Sequence, residues 1–334
     1  MILVTGAAGH VGNVLVRELL SRGHRVRAMI MPGEEISSLD NLDIELVEAN
    51  VLDPLSVENA MRDVECVYHL AGIISILPGE EKLMEQVNVT GVRNVAEAAL
   101  KMGVKRMIHT SSIHAFKRMP HGIVVDEKSP VAADSPPGTY DRTKAEGTLE
   151  VLSAVERGLD AVIVCPTGVI GPYDFRKSEM GQTILGFAND SIHFLVDGAY
   201  DFIDVRDVAT GLISASENGK MGEMYILSGV RILVREIGQI VQELVDNRGP
   251  SITLPFHLAS IAARFAEPFY RIAKKVPKFT RYSLKTIRDN SIFSHEKATR
   301  ELGHRPRPLR DTIADTLEWW RDWENLKNKI KIGL

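Results

Sequence analysis

The sequence predicts an α/β fold built on a doubly wound parallel sheet, followed by a smaller, mostly helical C-terminal part. Three observations carry that expectation. Over the first two-thirds of the 334 residues, short apolar runs alternate with helical patterns, as βαβ units do. The runs are continuous rather than alternating, which is how parallel strands buried on both faces read. The first run ends in a glycine-rich turn that opens a helix.

In chain order, strands are expected at Ile2–Val4, Arg25–Ile30, Ile44–Glu48, Cys66–Leu70, Arg106–Thr110 and Ala161–Cys165. Helical stretches such as Val11–Ser21 and Val87–Met102 lie between them. In the second of these, Val89, Val92, Val95, Ala96 and Ala99 recur at helical spacing and form one apolar face. After Gly171 the rhythm breaks. A βα-like segment at Tyr200–Ser216 and a strand at Met224–Leu227 follow, and from Arg231 on the pattern is mostly helical. The expected division is residues 1–170, rejoined by about 201–230, against a second part made of 171–200 and 231–320.

Composition narrows the class. At 44% hydrophobic and 25% charged residues, the chain can bury a sizeable core. No run reaches the roughly 18–20 apolar residues of a membrane span. Met1–Gly6 enters a strand-like run with no basic leader, so no cleaved targeting peptide is expected. Cys66 and Cys165 are too few for a disulfide framework or a zinc site, and both read as buried structural thiols. A cytosolic, soluble protein without metal or nucleic-acid partner is the expectation. The net charge of −4 is uneven. After Pro250 there are 17 Lys and Arg against nine Asp and Glu, which reads as a solvated helical face or an attraction for a phosphorylated substrate. The apolar and basic stretch Pro255–Lys275 reads as a helix walling a pocket in preference to one lying on a membrane.

Three motifs point to chemistry. Thr5-Gly6-Ala7-Ala8-Gly9-His10-Val11-Gly12 follows a strand and opens a helix. Gly6 can make the tight turn, Gly9 lets the backbone approach a pyrophosphate, and Gly12 lets the helix pack closely on the strand. The helix N-terminus adds amide donors and a favourable dipole. Cofactor choice belongs at the end of the second strand, where an acid binds the ribose 2′-hydroxyl of NAD. Here that strand ends in Met31, with Glu34 and Glu35 displaced past a Pro-Gly turn. The missing carboxylate leaves room for a 2′-phosphate, a mild lean to NADP. Asp53, after the third strand, is placed either to meet the adenine or to cap a helix ahead of Pro54.

Tyr140 and Lys144 are four residues apart, on one helix face. An ammonium near a phenol lowers its pKa, and such a tyrosine can pass a proton to or from a carbonyl or alcohol oxygen. Thr110-Ser111-Ser112 ends the fifth strand at the sheet's carboxyl edge, where ligands bind. Ser112 is placed to donate to a substrate oxygen beside Tyr140.

Together these segments resemble the extended short-chain dehydrogenases/reductases, of the NAD-dependent epimerase/dehydratase superfamily. The resemblance runs through Thr5–Gly12, Tyr68–Gly72, Val87–Gly91, His109–Ser112, Tyr140–Lys144, Pro166–Pro172, Phe202–Ala209, Tyr225–Ser228, Phe293–Ala298 and Glu301–Gly303. It implies a Rossmann-type nucleotide-binding part and a substrate-binding part. It makes Ser112, Tyr140 and Lys144 the catalytic set. Cofactor contacts are implied at Gly6, Gly9, His10, Val11, Gly12, Val51, Asp53, Leu70, Ala71, Gly72, Thr110, Tyr140 and Lys144. Pro166, Thr167, Gly168 and Val169 would border the nicotinamide, and Asn88 would support the architecture around it. Thr167 stands where epimerases and dehydratases usually carry an Asn, so the chain looks most like the dihydroflavonol 4-reductase-like branch. His10 replaces a commoner aromatic, and Cys165 a frequent Arg.

The implied activity is reduction of a ketone or aldehyde with NAD(P)H, or its reverse. The alternatives are a nucleotide-sugar epimerase/dehydratase with internal hydride transfer, a cofactor-sensing regulator, and a membrane-associated steroid dehydrogenase resting on Leu258–Lys275. Loops Ile73–Lys82, Ala115–Gly138 and Tyr173–Ala199 would frame the pocket. Phe175, Met180, Ile184, Phe187, Phe256 and Phe265 hint at an apolar or aromatic substrate. A homodimer through Val87–Met102 and Tyr140–Val155 is a further implication.

Overall fold

The computed structural model describes residues 1–74, 79–133, 138–189, 194–196, 198–246, 252–254 and 286–332. Phe256, Phe265 and the Leu258–Lys275 stretch lie outside the described residues, as do parts of all three pocket loops. Every expected strand forms, within a residue or so at each end. They are β1 (Ile2–Thr5), β2 (Val26–Ile30), β3 (Glu45–Glu48), β4 (Cys66–His69), β5 (Arg106–Thr110) and β6 (Ala161–Pro166). With β10 (Met224–Leu227) they make one seven-stranded sheet, in the order β3-β2-β1-β4-β5-β6-β10. All its pairings are parallel. The order reverses between β1 and β4, so a crevice opens at the carboxyl ends of those strands.

Helices cover both faces of this Rossmann-type sheet. On one side lie α2 (Pro54–Ala60), α4 (Val92–Met102) and α5 (Thr139–Glu156) over Leu3, Val67, Met107 and Ile163. On the other lie α1 (His10–Ser21) and α7 (Val205–Asn218) over Val4, Tyr68, Ile108 and Val164. The four buried residues Val92, Val95, Ala96 and Ala99 are the expected apolar face of α4. The helix at 87–102 is not uniform, however. After the short α3 (Glu81–Glu85), residues Gln86–Gly91 form a π-helical turn that widens the backbone around Asn88. Such turns cluster at functional sites.

Beyond β6 the chain builds a second layer. Strands β7 (Gly168–Ile170), β9 (Ala199–Asp204) and β11 (Val230–Leu233) form a three-stranded sheet, with β11 antiparallel to β9. The Arg231 region thus begins with a strand before α8 (Val234–Leu244). The segments β8 (Phe194–Val196) and β12 (Ile252–Leu254) pair in parallel. A separate core of Ile170, Ile184, Phe187, Phe202, Ile237, Ile313 and Trp320 joins this sheet to α6 (Glu179–Ala188), α8 and α10 (Leu309–Ile332). Ile184 and Phe187 are therefore core residues, and Met180 packs against them. Finally, α9 (Glu296–Leu302) lies against α7 and β10. Among the described residues, no helix is long and apolar enough to cross a membrane.

Candidate active site

The glycine-rich turn sits at the β1 end of the crevice. Gly6 has φ +65°, and a Cβ there would come within 2.8 Å of the Ala71 amide nitrogen. A Cβ on Gly12 would overlap the Gly6 carbonyl oxygen, so the turn and α1 can close only on glycines. Gly9 precedes α1 in extended conformation, and no side chain caps the first helical turn. The Gly9 amide closes the turn onto the Gly6 carbonyl, and the amides of Val11 and Gly12 in that uncapped first helical turn are placed to meet a pyrophosphate. His10 turns away from those amides, its Nε2 donating to the Pro172 carbonyl at 3.0 Å. Burial holds its pKa below the ordinary value, so it is a neutral tether between α1 and the chain after β7. Asn13 makes a parallel bond, from Nδ2 to the Tyr173 carbonyl.

Thr5 fixes the opposite wall. Its Oγ1 accepts from the Leu70 and Ala71 amides at 3.2 and 3.1 Å, and its own proton goes to His69 Nδ1 at 2.8 Å. Beyond β2, Glu34 reaches back and accepts from the Met31 amide at 2.9 Å. Its other oxygen takes Arg176 at 2.7 Å. A carboxylate therefore does stand at the end of β2, although the residue there is methionine. Ser38 ties this segment to the glycine turn by donating to the Ala8 carbonyl. Asp53 caps α2, accepting from the Leu55 amide, and is exposed at the rim of the sheet. Val51 is buried, its carbonyl held by Asn94.

Asn88 joins three elements. Its side chain accepts from the Ile73 amide and donates to the Ile73 carbonyl and to Thr143 Oγ1. The segment after β4 is thereby bolted to the π-helical turn and to α5. A Cβ on Gly72 would lie 3.2 Å from Asn88 Oδ1 and 3.7 Å from Lys144 Nζ. Lys144 itself donates to the Thr110 carbonyl at 3.1 Å, and the Thr110 hydroxyl has no partner among the described residues. Gly72, Thr110 and Lys144 thus converge on one polar spot beside Asn88, fit for a ribose hydroxyl.

Ser112 leaves β5 in extended conformation and accepts from the His114 amide, opening a short 3₁₀ turn. Tyr140, in the first turn of α5, lies within reach of the Ser112 side chain, whose hydrogen-bonding capacity favours the phenolate. Burial, helped by the Asp141 charge, pushes the Tyr140 hydroxyl up to about 12 despite that serine. Burial also lowers Lys144 to about 8. This corrects the expectation that the lysine depresses the tyrosine. Lys144 is held at Thr110, and the fields that reach Tyr140 are those of Ser112 and Asp141. At neutral pH Tyr140 is a protonated donor.

Pro166 ends β6, and the Thr167 amide donates to the Leu227 carbonyl. Gly168 and Val169 start β7, where the Tyr200 and Phe202 rings occupy the space a Cβ on Gly168 would need. Burial raises both Cys66 and Cys165 to about 12, so neither is a reactive thiolate.

Sequence reasoning did not single out His114, Asp141 or Tyr200. His114 Nδ1 bonds Asp141 Oδ1 at 2.9 Å, and its Nε2 bonds the Tyr200 hydroxyl at 2.7 Å. Arg118 donates to the same Asp141 oxygen at 2.8 Å. The only sequence signal was a charged residue directly after Tyr140, where helix α5 turns inward.

The chain is similar to known proteins along most of its length. The family described as "NAD dependent epimerase/dehydratase family" matches residues 2–228. Sterol demethylase protein B of Methylococcus capsulatus is 36% identical over 96% of this chain and 98% of its own length. A Synechocystis protein provisionally named dihydroflavonol 4-reductase is 29% identical over 98% of this chain and 96% of its own. The crystal structure of gox2253 superposes with a TM-score of 0.85, at 33% identity, covering 96% of this chain and 98% of that one.

Proposed function

Because the chain belongs to the NAD dependent epimerase/dehydratase family, within the extended short-chain dehydrogenases/reductases, we propose that it is a carbonyl reductase or alcohol dehydrogenase of the dihydroflavonol 4-reductase-like kind. Its Ser112, Tyr140 and Lys144 would perform the proton chemistry. The single observation that carries this reading is the buried Tyr140 set beside Ser112 at the carboxyl edge of β5, with Lys144 one helical turn on at the Thr110 carbonyl.

When bound, the dinucleotide supplies hydride to the carbonyl carbon or removes it from the alcohol. Gly6, Gly9, Val11 and Gly12 would hold its pyrophosphate, Asp53 and Val51 its adenine side, and Leu70–Gly72 its backbone-facing edge. Lys144 and Thr110 would grip the nicotinamide ribose, and Pro166–Val169 would border the ring. Tyr140 gives its proton to the carbonyl oxygen as the alcohol forms, and takes it back in the reverse direction. Ser112 orients that oxygen, and positioning with acid–base help is worth roughly 10²–10⁴-fold from the proton transfer alone. Lys144, charged below about pH 8, keeps its ammonium at the Thr110 carbonyl, where it would grip that ribose.

For the cofactor, Glu34 turns the lean to NADP around. Its carboxylate on the Met31 amide takes the place of the missing acid and favours the diol of NAD over a 2′-phosphate. A homodimer through α4 and α5 is part of the proposal, since Met102 and Leu149 leave large apolar side chains exposed on those helices.

Following NADH absorbance with a panel of ketones and aldehydes tests the reaction. Tyr140→Phe should lower turnover at least about 100-fold and keep NADH affinity within about two-fold. Retention of more than a tenth of the activity would remove the tyrosine from its role. Cofactor binding without carbonyl-dependent oxidation would favour the internal-hydride alternative.

A further inference from the structure

Away from the site just described, a groove of about 320 Å³ runs between α7 and the turn that follows α9. Neither the glycine turn nor Ser112, Tyr140 or Lys144 lines it. Its floor is one face of α7, where Asp207, Thr210, Gly211 and Ser214 recur at helical spacing. Its wall is the segment Leu302–Arg307. Gly303, at φ +69°, ends α9 in the left-handed conformation and turns the chain back across α7. Asp207 pins that turn, accepting from the Arg307 amide at 2.7 Å and from the Arg307 guanidinium.

Four polar groups of this groove have no partner among the described residues. The Arg305 guanidinium is exposed and meets no carboxylate, whereas Arg300, Arg307 and Arg310 near it each hold one. The Thr210 and Ser214 hydroxyls, one turn apart on α7, are unused as well. The fourth group belongs to the wall. His304 is only 5% exposed, and its Nε2 donates to the Ser228 carbonyl at 3.0 Å. A carbonyl can only accept, so the ring proton sits on Nε2. Burial holds His304 below its ordinary pKa, so the ring is neutral and Nδ1 offers a lone pair. That nitrogen is not sealed inside the core, and a molecule in the groove can reach it.

Together these groups call for a ligand with several acceptor oxygens and one proton to give. Arg305 and the two hydroxyls can donate, and Nδ1 accepts. A carboxylate or a sulfate satisfies the donors but has no proton for Nδ1. A phosphate keeps its last proton with a pKa near 6, so its singly protonated form meets all four groups. Asp207 does not repel it, because Arg307 already matches that carboxylate and leaves the charge of Arg305 in excess. We propose that the groove between α7 and Leu302–Arg307 binds a singly protonated phosphate, free or carried on a small molecule. Arg305, Thr210 and Ser214 donate to its oxygens, and His304 Nδ1 accepts its proton. The groove has the size of a small-molecule site. This inference is independent of the reading of Ser112, Tyr140 and Lys144 given above.

The test is calorimetric titration of the full chain with ribose 5-phosphate, inorganic phosphate and sulfate, each with and without saturating NADH. Phosphate or its ester should bind with a dissociation constant below about 1 mM, unchanged by NADH. Sulfate should bind at least about five-fold more weakly than phosphate, because Nδ1 then goes unmet. Arg305→Ala, on the surface, should weaken phosphate binding at least about ten-fold, and Thr210→Val about three- to five-fold. Both variants should melt at the wild-type temperature in phosphate-free buffer. Tighter binding of ribose 5-phosphate than of phosphate supports the proposal with an ester as the ligand, and equal affinity supports it with the free ion. Phosphate binding that disappears on adding NADH would place the anion at the Gly6–Gly12 turn and overturn the proposal. Affinity left intact in Arg305→Ala would overturn it too, as would sulfate binding as tightly as phosphate. No binding of phosphate or its ester at millimolar concentration would overturn it without any variant.

Discussion

At the scale of single residues, Glu34 carries the sharpest consequence. Its carboxylate is anchored by the Met31 amide and balanced by Arg176, while Glu35 beside it adds a second negative charge. A 2′-phosphate would have to enter that field. NADH should therefore bind at least about ten-fold tighter than NADPH, and Glu34→Gln should close most of the gap by strengthening NADPH binding. Fluorescence titration of both cofactors against both proteins measures it, and tighter NADPH binding by the wild type would refute the assignment. The sequence showed the glycines, Ser112, Tyr140 and Lys144 because backbone and spacing rules name those positions. It hid Glu34, because a Pro-Gly turn folds back by an amount no spacing rule encodes. Asp141 and Tyr200 were hidden for a related reason. Their roles depend on which side chains meet across sheets, and that is not a local property.

At the scale of elements, the parallel strands were legible almost to the residue, because burial on both faces leaves continuous apolar runs. Two histidines are hidden inside that regularity. His69 on β4 and His109 on β5 are register partners, stacked with ring centroids 5.5 Å apart and fully buried. Burial, reinforced by Lys144, holds His69 down at about 3 and His109 well below its ordinary value. In the unfolded chain both titrate near 6.5. Between pH 6.5 and 3 the unfolded state therefore binds protons that the folded state refuses. Stability is full above pH 6.5 and is lost as the pH falls, by roughly 2 kcal/mol from His69 alone at pH 5, with His109 adding loss of the same sign. Urea midpoints at pH 7 and pH 5 check this, with His109→Phe expected to lose less on acidification than the wild type. The short strands β7, β8 and β12 escaped notice because three residues show no period, and β11 because it runs directly into α8. The π-helical turn escaped because nothing in Gln86–Gly91 distinguishes it from ordinary helix.

At the scale of the molecule, the pattern of alternating runs revealed the doubly wound sheet but not the second sheet that closes over it. That sheet is mixed, and its strands come from segments far apart in the chain. The proposed pairing of two copies through α4 and α5 belongs at this scale. Arg93–Glu150 and Arg157–Glu97 already bind those helices to each other within one chain, leaving Leu149 and Met102 as the apolar surface. Light scattering at micromolar concentration should give twice the 37.0 kDa chain mass, and Leu149→Lys should return it to one. A monomeric wild type would refute the pairing.

The last helix also determines how this protein can be watched. All three tryptophans of the chain, Trp319, Trp320 and Trp323, lie on α10. Trp319 and Trp323 stack on each other and meet Phe175 edge-on, Trp319 also packs at a tilt on Tyr173 and Trp320, and Trp320 donates to the Asp174 carbonyl. The Tyr173–Phe175 segment is the one that His10 and Asn13 fasten to the dinucleotide cradle. The intrinsic fluorescence of the whole chain is thus a local reporter, reading the seat of one helix on the loop that runs from the proposed cofactor cradle to the second sheet. Without any label, its emission would register a cofactor arriving at the far side of that loop.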